Sequence, residues 1–179
     1  MAQKALLVVD MLKDFIYPDG ALHCGSAGQG IVPYTVELVG KFKDAREPVI
    51  LIMDAHGVDD AEFTRFPRHC VSGTRGAELI DELDARLKGY ERVLKIPKSR
   101  FSGFYRTDLE HFLEDLSPAE IHVVGVCTNI CVLYTVEELR NRDYRTIVHA
   151  GGVASFDQDA HHWALAQMKT VLGAEIKSA

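Results

Sequence analysis

Residues 125–135 read GVCTNICVLYT and set two cysteines, Cys127 and Cys131, four apart where an apolar run gives way to a helical pattern. A pair at this spacing fits a metal site, a redox pair, a nucleophile with a bystander, or two small core residues. The spacing is not C-x-x-C, which weighs against a thiol redox motif. A cysteine in the first turn of a helix faces unpaired backbone N–H groups and the positive end of the helix dipole, which lowers its pKa and stabilises the thiolate. Cys131 suits that position better than Cys127, which belongs in the strand-to-helix turn. Three further stretches carry ionisable groups. Asp10 closes the apolar run ALLVVD (5–10), with Asp14 and Phe15 just beyond. Asp54 closes PVILIMD (48–54) and is followed by Ala55 and His56; in an extended segment Asp54 and His56 project to the same side. Glu62 and His69 follow in EFTRFPRHC. Two imidazoles and two carboxylates suit a borderline divalent cation such as zinc, iron or manganese, and the same composition also fits a solvated acidic loop. Lys98 precedes two aromatics and a glycine in KSRFSGF. A thiol, a carboxylate to take its proton and a lysine to stabilise the resulting charge would together make a nucleophilic site.

Positioning these groups falls to an alternation of short β-rich runs and amphipathic helical patterns. ALLVVD, PVILIMD, IHVVGV (121–126) and YRTIVHA (144–150) read as strands buried on both faces, with a weaker strand in ERVLKI (91–96). Helical periodicity covers 31–46, 76–87, 107–116, 128–142 and 159–173, while 17–30 and 55–75 read as irregular. Strands alternating with helices imply a parallel sheet with helices on both sides. Ligands bind such sheets beyond the carboxyl ends of the strands, so those ends are where chemistry is sought.

A chain of 179 residues, 47% of them hydrophobic, can bury a substantial core and is read as one domain over 1–179. Its formal net charge of −6 argues against a nucleic-acid surface, which needs clustered Lys and Arg. The N-terminal residues lack the pattern of a signal peptide, and no window approaches the roughly 18 apolar residues of a membrane span, so a soluble, cytoplasmic protein is expected. The cysteines at 24, 70, 127 and 131 are expected to be reduced thiols.

Four blocks carry a family likeness: LLVVDMLKDF (6–15), DAH (54–56) with FPRHCVSGTRGAEL (66–79), KSRFSGFYRTDL (98–109), and the long segment from VVGVCTNICVLYT to GAEI (123–176). Through them the chain resembles the isochorismatase-like cysteine hydrolases, and within these the nicotinamidases. The resemblance implies a single-domain, Rossmann-like three-layer α/β/α fold with a mostly parallel central sheet. It implies a catalytic triad of Asp10, Lys98 and Cys131, with Cys131 as the nucleophile. It further implies a cis peptide bond between Val126 and Cys127, which aims the backbone N–H groups of Cys127 and Cys131 at one oxyanion. Asp54, His56 and His69 match the family's ligands for one divalent metal ion, zinc first and iron or manganese otherwise; Glu62 is the candidate fourth ligand and Asp60 the fallback. Phe15, Phe66 and Phe101 fall where the family walls a flat ring. The implied reaction is hydrolysis of nicotinamide to nicotinate and ammonia through a Cys131 thioester, as part of NAD salvage. The alternative is a relative acting on an N-carbamoyl or ureido compound, or on isochorismate. Members of the family often assemble into dimers or larger oligomers, so a homo-oligomer is expected.

Overall fold

The structure is a computed structural model that describes residues 3–178. Its strands are β1 (Lys4–Val9), β2 (Val49–Asp54), β3 (Val93–Lys98), β4 (Glu120–Val126), β5 (Thr146–Ala154) and β6 (Glu175–Lys177). They form one sheet in the order β3-β2-β1-β4-β5-β6, with every neighbouring pair parallel. The helices are α1 (Lys13–Ile16), α2 (Gly25–Gly30), α3 (Val32–Asp44), α4 (Asp81–Leu87), α5 (Leu109–Leu116), α6 (Leu133–Asn141) and α7 (Gln158–Thr170). Among the described residues, no helix is long and apolar enough to cross a membrane.

The central strands are largely apolar because both of their faces are covered. Leu6 and Val8 pack with Leu38, Val39 and Phe42 of α3 and Leu83 of α4. Ala5, Leu7 and Val9 point the other way, toward Leu109 and Leu113 of α5, Val136 and Leu139 of α6, and Ala164 and Met168 of α7. The period of two that separates these sets is the pleat of the strand itself. The helices after β1 and β2 thus cover one face, whereas those after β3, β4 and β5 cover the other. Connections from β1 and into β4 diverge to opposite sides, which opens a crevice at the carboxyl ends of these two central strands.

Several element boundaries differ from the periodicity, and the differences matter for the site. The weak strand runs to Lys98, which is its last residue and lies in register with Asp54. Pro97 is tolerated there because β3 is an edge strand. The pattern over 76–87 becomes a helix only at Asp81, since Leu79 bridges antiparallel to Leu12. The pattern over 128–142 opens as a π-helical turn, Thr128–Val132, before α6 begins. β5 continues past the two glycines at 151 and 152, through a register break against β4, and delivers Ser155 and Phe156 to the same end of the sheet. Two short elements, α2 and β6, carry no periodic signal; GSAGQG holds three glycines, each a weak helix former.

Candidate active site

Asp10, Lys98 and Cys131 come together at the strand ends, and all three are buried. Asp10 lies one residue past β1 with a left-handed backbone (φ 51°), a conformation that Asp tolerates better than most residues. Its N–H still donates to Ile52 O (2.9 Å), and its Oδ1 accepts from the N–H of Asp54 (2.9 Å). Lys98 Nζ sits 2.8 Å from Asp10 Oδ2, as an ion pair without hydrogen-bond alignment, and 3.5 Å from Cys131 Sγ. It also donates to Asp54 Oδ1. Burial alone would discharge such a lysine, but Asp10, Asp54 and Cys131 hold it charged, well above the usual lysine range.

Burial and the neighbouring charge of Asp54 push the Asp10 carboxyl up to about 6, against the pull of Lys98. The Cys131 thiol is also pushed well up, by burial first, with Lys98 opposing. Desolvation therefore outweighs the favourable end of the turn, and the thiol is raised where a helix start alone would lower it. Cys131 rests protonated and needs a base at the moment of attack. A carboxylate oxygen of Asp10 lies within 4.8 Å of its sulfur.

Cys127 follows a cis peptide bond from Val126, as the family resemblance implies, and precedes the π-helical turn. Its carbonyl accepts from Ile130 N–H (3.0 Å) and from Val132 N–H (3.2 Å), so the intervening N–H of Cys131 is passed over. Gly125 lets the chain approach β1 here: a Cβ would fall 1.9 Å from Val9 O, and its φ of 124° suits glycine alone.

The second set of groups lies beside the first and shares Asp54 with it. Asp54 Oδ2 is 3.5 Å from His56 Nε2 and 3.7 Å from His69 Nε2, and His69 Nε2 is 4.0 Å from Glu62 Oε1. Donor atoms around a tetrahedral zinc stand roughly 3.3 Å apart, so this cluster is close to the spacing that a small cation requires. Both imidazoles have their Nδ1 positions matched to acceptors, Asp60 Oδ2 for His56 (3.2 Å) and Pro67 O for His69 (2.7 Å). With Nδ1–H donating in each ring, both Nε2 lone pairs turn toward the same point. His56 Nε2 and Glu62 Oε2 are buried without a hydrogen-bond partner, which is costly unless something coordinates them. The residues fit a divalent cation.

Asp60, the fallback ligand, stands outside this ring. Its oxygens accept from His56 Nδ1–H, from the Glu62 N–H (2.8 Å) and from Arg100 (2.9 Å). It therefore backs His56 and caps the turn that carries Glu62. Asp14 has a structural role, accepting from the N–H groups of Cys70 (2.7 Å) and Ala21 (3.1 Å) and so tying the 55–75 segment to the 17–24 loop.

A narrow cleft opens over both sets, and Phe15, Phe66 and Phe101 line it together with Asp54, Glu62, His69, Cys127 and Cys131. Four wall residues escaped the reading of the sequence: Leu22, Val126, Ile130 and Phe156. Phe156 is half exposed at the mouth. Leu22 lies in a stretch without periodicity, so nothing local marks it. Ile130, inside the CTNIC segment, could have been inferred from its place between the two cysteines.

Comparison with known proteins agrees with this geometry. A family model described as the isochorismatase domain matches residues 4–179. A Bacillus subtilis protein described as the uncharacterized isochorismatase family protein PncA is 37% identical over 180 residues, covering 97% of this chain and 98% of that one. Its crystal structure, described as a nicotinamidase/pyrazinamidase, superposes with a TM-score of 0.93 at 36% identity, over 98% of this chain and 99% of that one. The pyrazinamidase of Pyrococcus horikoshii, solved in complex with zinc, gives 0.90 at 29% identity, over 99% of both chains. N-carbamoylsarcosine amidase from Thermoplasma acidophilum gives 0.86 at 29% identity, over 98% of this chain and 96% of that one. A family match over nearly the whole chain, joined to an all-parallel sheet with a buried thiol at its switch point, means that this protein belongs to the isochorismatase family of hydrolases.

Proposed function

We propose that the protein is a nicotinamidase, hydrolysing nicotinamide to nicotinate and ammonia. The observation that carries this reading is the double engagement of Asp54: one oxygen faces Lys98 of the thiol set and the other faces both histidines. A pyridine carboxamide has the same division, a ring nitrogen that seeks a cation and a carboxamide that needs a nucleophile. A carbamoyl or ureido compound has no such ring nitrogen and does not need a cation to hold one.

Asp10 takes the proton from Cys131 Sγ while Lys98 balances the charge, and the thiolate attacks the carboxamide carbon. The developing oxyanion rests against the N–H groups of Cys127 and Cys131, a type of support that typically contributes about 3 to 4 kcal/mol per donor. Asp10 then returns its proton to the departing ammonia, leaving a Cys131 thioester, and activates the water that cleaves it. A divalent ion on Asp54, His56, Glu62 and His69, zinc first and iron or manganese otherwise, would supply Lewis acidity toward the ring nitrogen. Phe15, Phe66 and Phe101 orient the ring, and positioning of this kind lowers barriers by several kcal/mol. With this reading go a cytoplasmic role in NAD salvage and assembly as a homo-oligomer.

Ammonia release from nicotinamide tests the proposal. Wild type should turn over; exhaustive chelation should lower kcat/KM by at least ~10²-fold, consistent with lost positioning, and added zinc should restore it. Wild type that releases no ammonia from nicotinamide, but hydrolyses an N-carbamoyl substrate, would refute the assignment. The backing of His56 gives a separate expectation. Asp60→Ala should weaken zinc binding roughly 10- to 100-fold in competition with a chromophoric chelator, with KM rising more than kcat falls. Unchanged zinc affinity would remove Asp60 from any role at the metal.

A further inference from the structure

We propose that Cys24 and Cys127 form a reversible disulfide in the wall of the cleft, so that this thiol pair is an oxidation site separate from the nucleophile. Their sulfurs lie 3.2 Å apart, although the residues are 103 positions apart in the chain. Both are held by their backbones. Cys24 caps α2 and donates its N–H to Phe15 O (2.8 Å), while Cys127 anchors the π-helical turn through its carbonyl. A disulfide needs its sulfurs about 2.05 Å apart, so closure takes an approach of roughly 1 Å, within reach of small χ1 rotations.

Access sets the order of events. Cys127 lines the cleft, whereas Cys24 lies behind it and does not. A hydroperoxide entering the cleft would oxidise Cys127 Sγ to the sulfenic acid, with the O–O bond broken and the alcohol or water released. The Cys24 thiol then attacks that sulfur, forming the S–S bond and releasing water, so that two thiols lose two electrons and the hydroperoxide gains them. The contact with Cys24, reinforced by burial, pushes the Cys127 thiol well up, which makes the first step slow compared with an exposed, acidic thiol. The pair therefore responds to sustained oxidant. Closure would tie the 17–24 loop, which carries the wall residue Leu22, to the backbone N–H beside the nucleophile.

The test uses the full chain carrying Cys131→Ala, which leaves Cys24, Cys70 and Cys127 as the only thiols. The folded protein is treated with hydrogen peroxide, then alkylated after unfolding and examined by mass spectrometry. The expected result is a loss of about 2 Da with two thiols protected, a peptide joining Cys24 to Cys127, and reversal by dithiothreitol. Adding Cys24→Ala should abolish the mass loss. Full alkylation of all three thiols, stable oxygen addition at Cys127 without a link, or a link to Cys70 would overturn the proposal. Because the readout involves no substrate, its failure is distinct from failure of the nicotinamidase reading.

Discussion

Cys131→Ala should lower the rate of amide hydrolysis by roughly 10⁴-fold or more, to the level that binding and positioning alone sustain. The sulfur is the one nucleophile in the cleft that lies against both the lysine (3.5 Å) and the carboxylate, and alanine leaves nothing to form an acyl intermediate. The fold should survive, because removing one buried sulfur costs only about 1 to 2 kcal/mol and creates a small cavity. Zinc affinity should also be unchanged, since Cys131 is not among the groups that surround His56 and His69. The check is ammonia release together with thermal unfolding and a metal titration. Residual activity within tenfold of wild type would remove Cys131 from the chemistry.

Lys98→Met is expected to damage stability and activity together. Lys98 lies between two buried carboxylates, Asp10 and Asp54, and methionine fills its volume without its charge. Removing one partner from a buried ionic group typically costs about 3 to 5 kcal/mol, because the remaining charges stay in low dielectric without compensation. For a chain of this size, that corresponds to a fall of roughly 10 °C in the unfolding midpoint. The activity change has a definite sign. Asp10 must be unprotonated to accept the thiol proton, and Lys98 is what opposes the upward push of burial and of Asp54. Without it the Asp10 carboxyl rises above its value of about 6, so the acid limb of the rate profile moves to higher pH and less of the base is available at neutrality. A variant with an unshifted acid limb and an unchanged midpoint would contradict the role assigned to Lys98.

Much of the architecture was legible because it is written in local periodicity. Runs such as ALLVV and VVGV are apolar on both alternating sets of positions, as expected of a strand covered on both faces. The carboxyl ends of the parallel strands follow from that, and so does the gathering there of Asp10, Asp54 and Lys98. The carboxyl ends of β3 and β5 were less legible. Pro97 disguised the end of β3, and the glycines at 151 and 152 disguised the continuation of β5, because single-residue propensities are overridden by pairing with β2 and β4.

The ionisable groups divide along the same line. Residue type and order drew attention to three carboxylates, two histidines, a lysine and a cysteine and placed a helix start near Cys131, while the family resemblance supplied their expected roles. Which of these face one another is a matter of tertiary contact. Glu62 points toward His69 while Asp60, two residues earlier, turns to Arg100 and the far side of His56. Asp14 ties two loops together, and Cys24 meets Cys127 across 103 residues. The state of the Cys131 thiol is decided there as well. The helix start that favours a thiolate is visible in the sequence, but the desolvation that outweighs it exists only once α6, α7 and the sheet have closed around the turn that carries the sulfur. Short-range pattern specifies elements and their order, whereas electrostatics and donor geometry depend on distances between residues far apart in the chain, and those are fixed only by the folded structure.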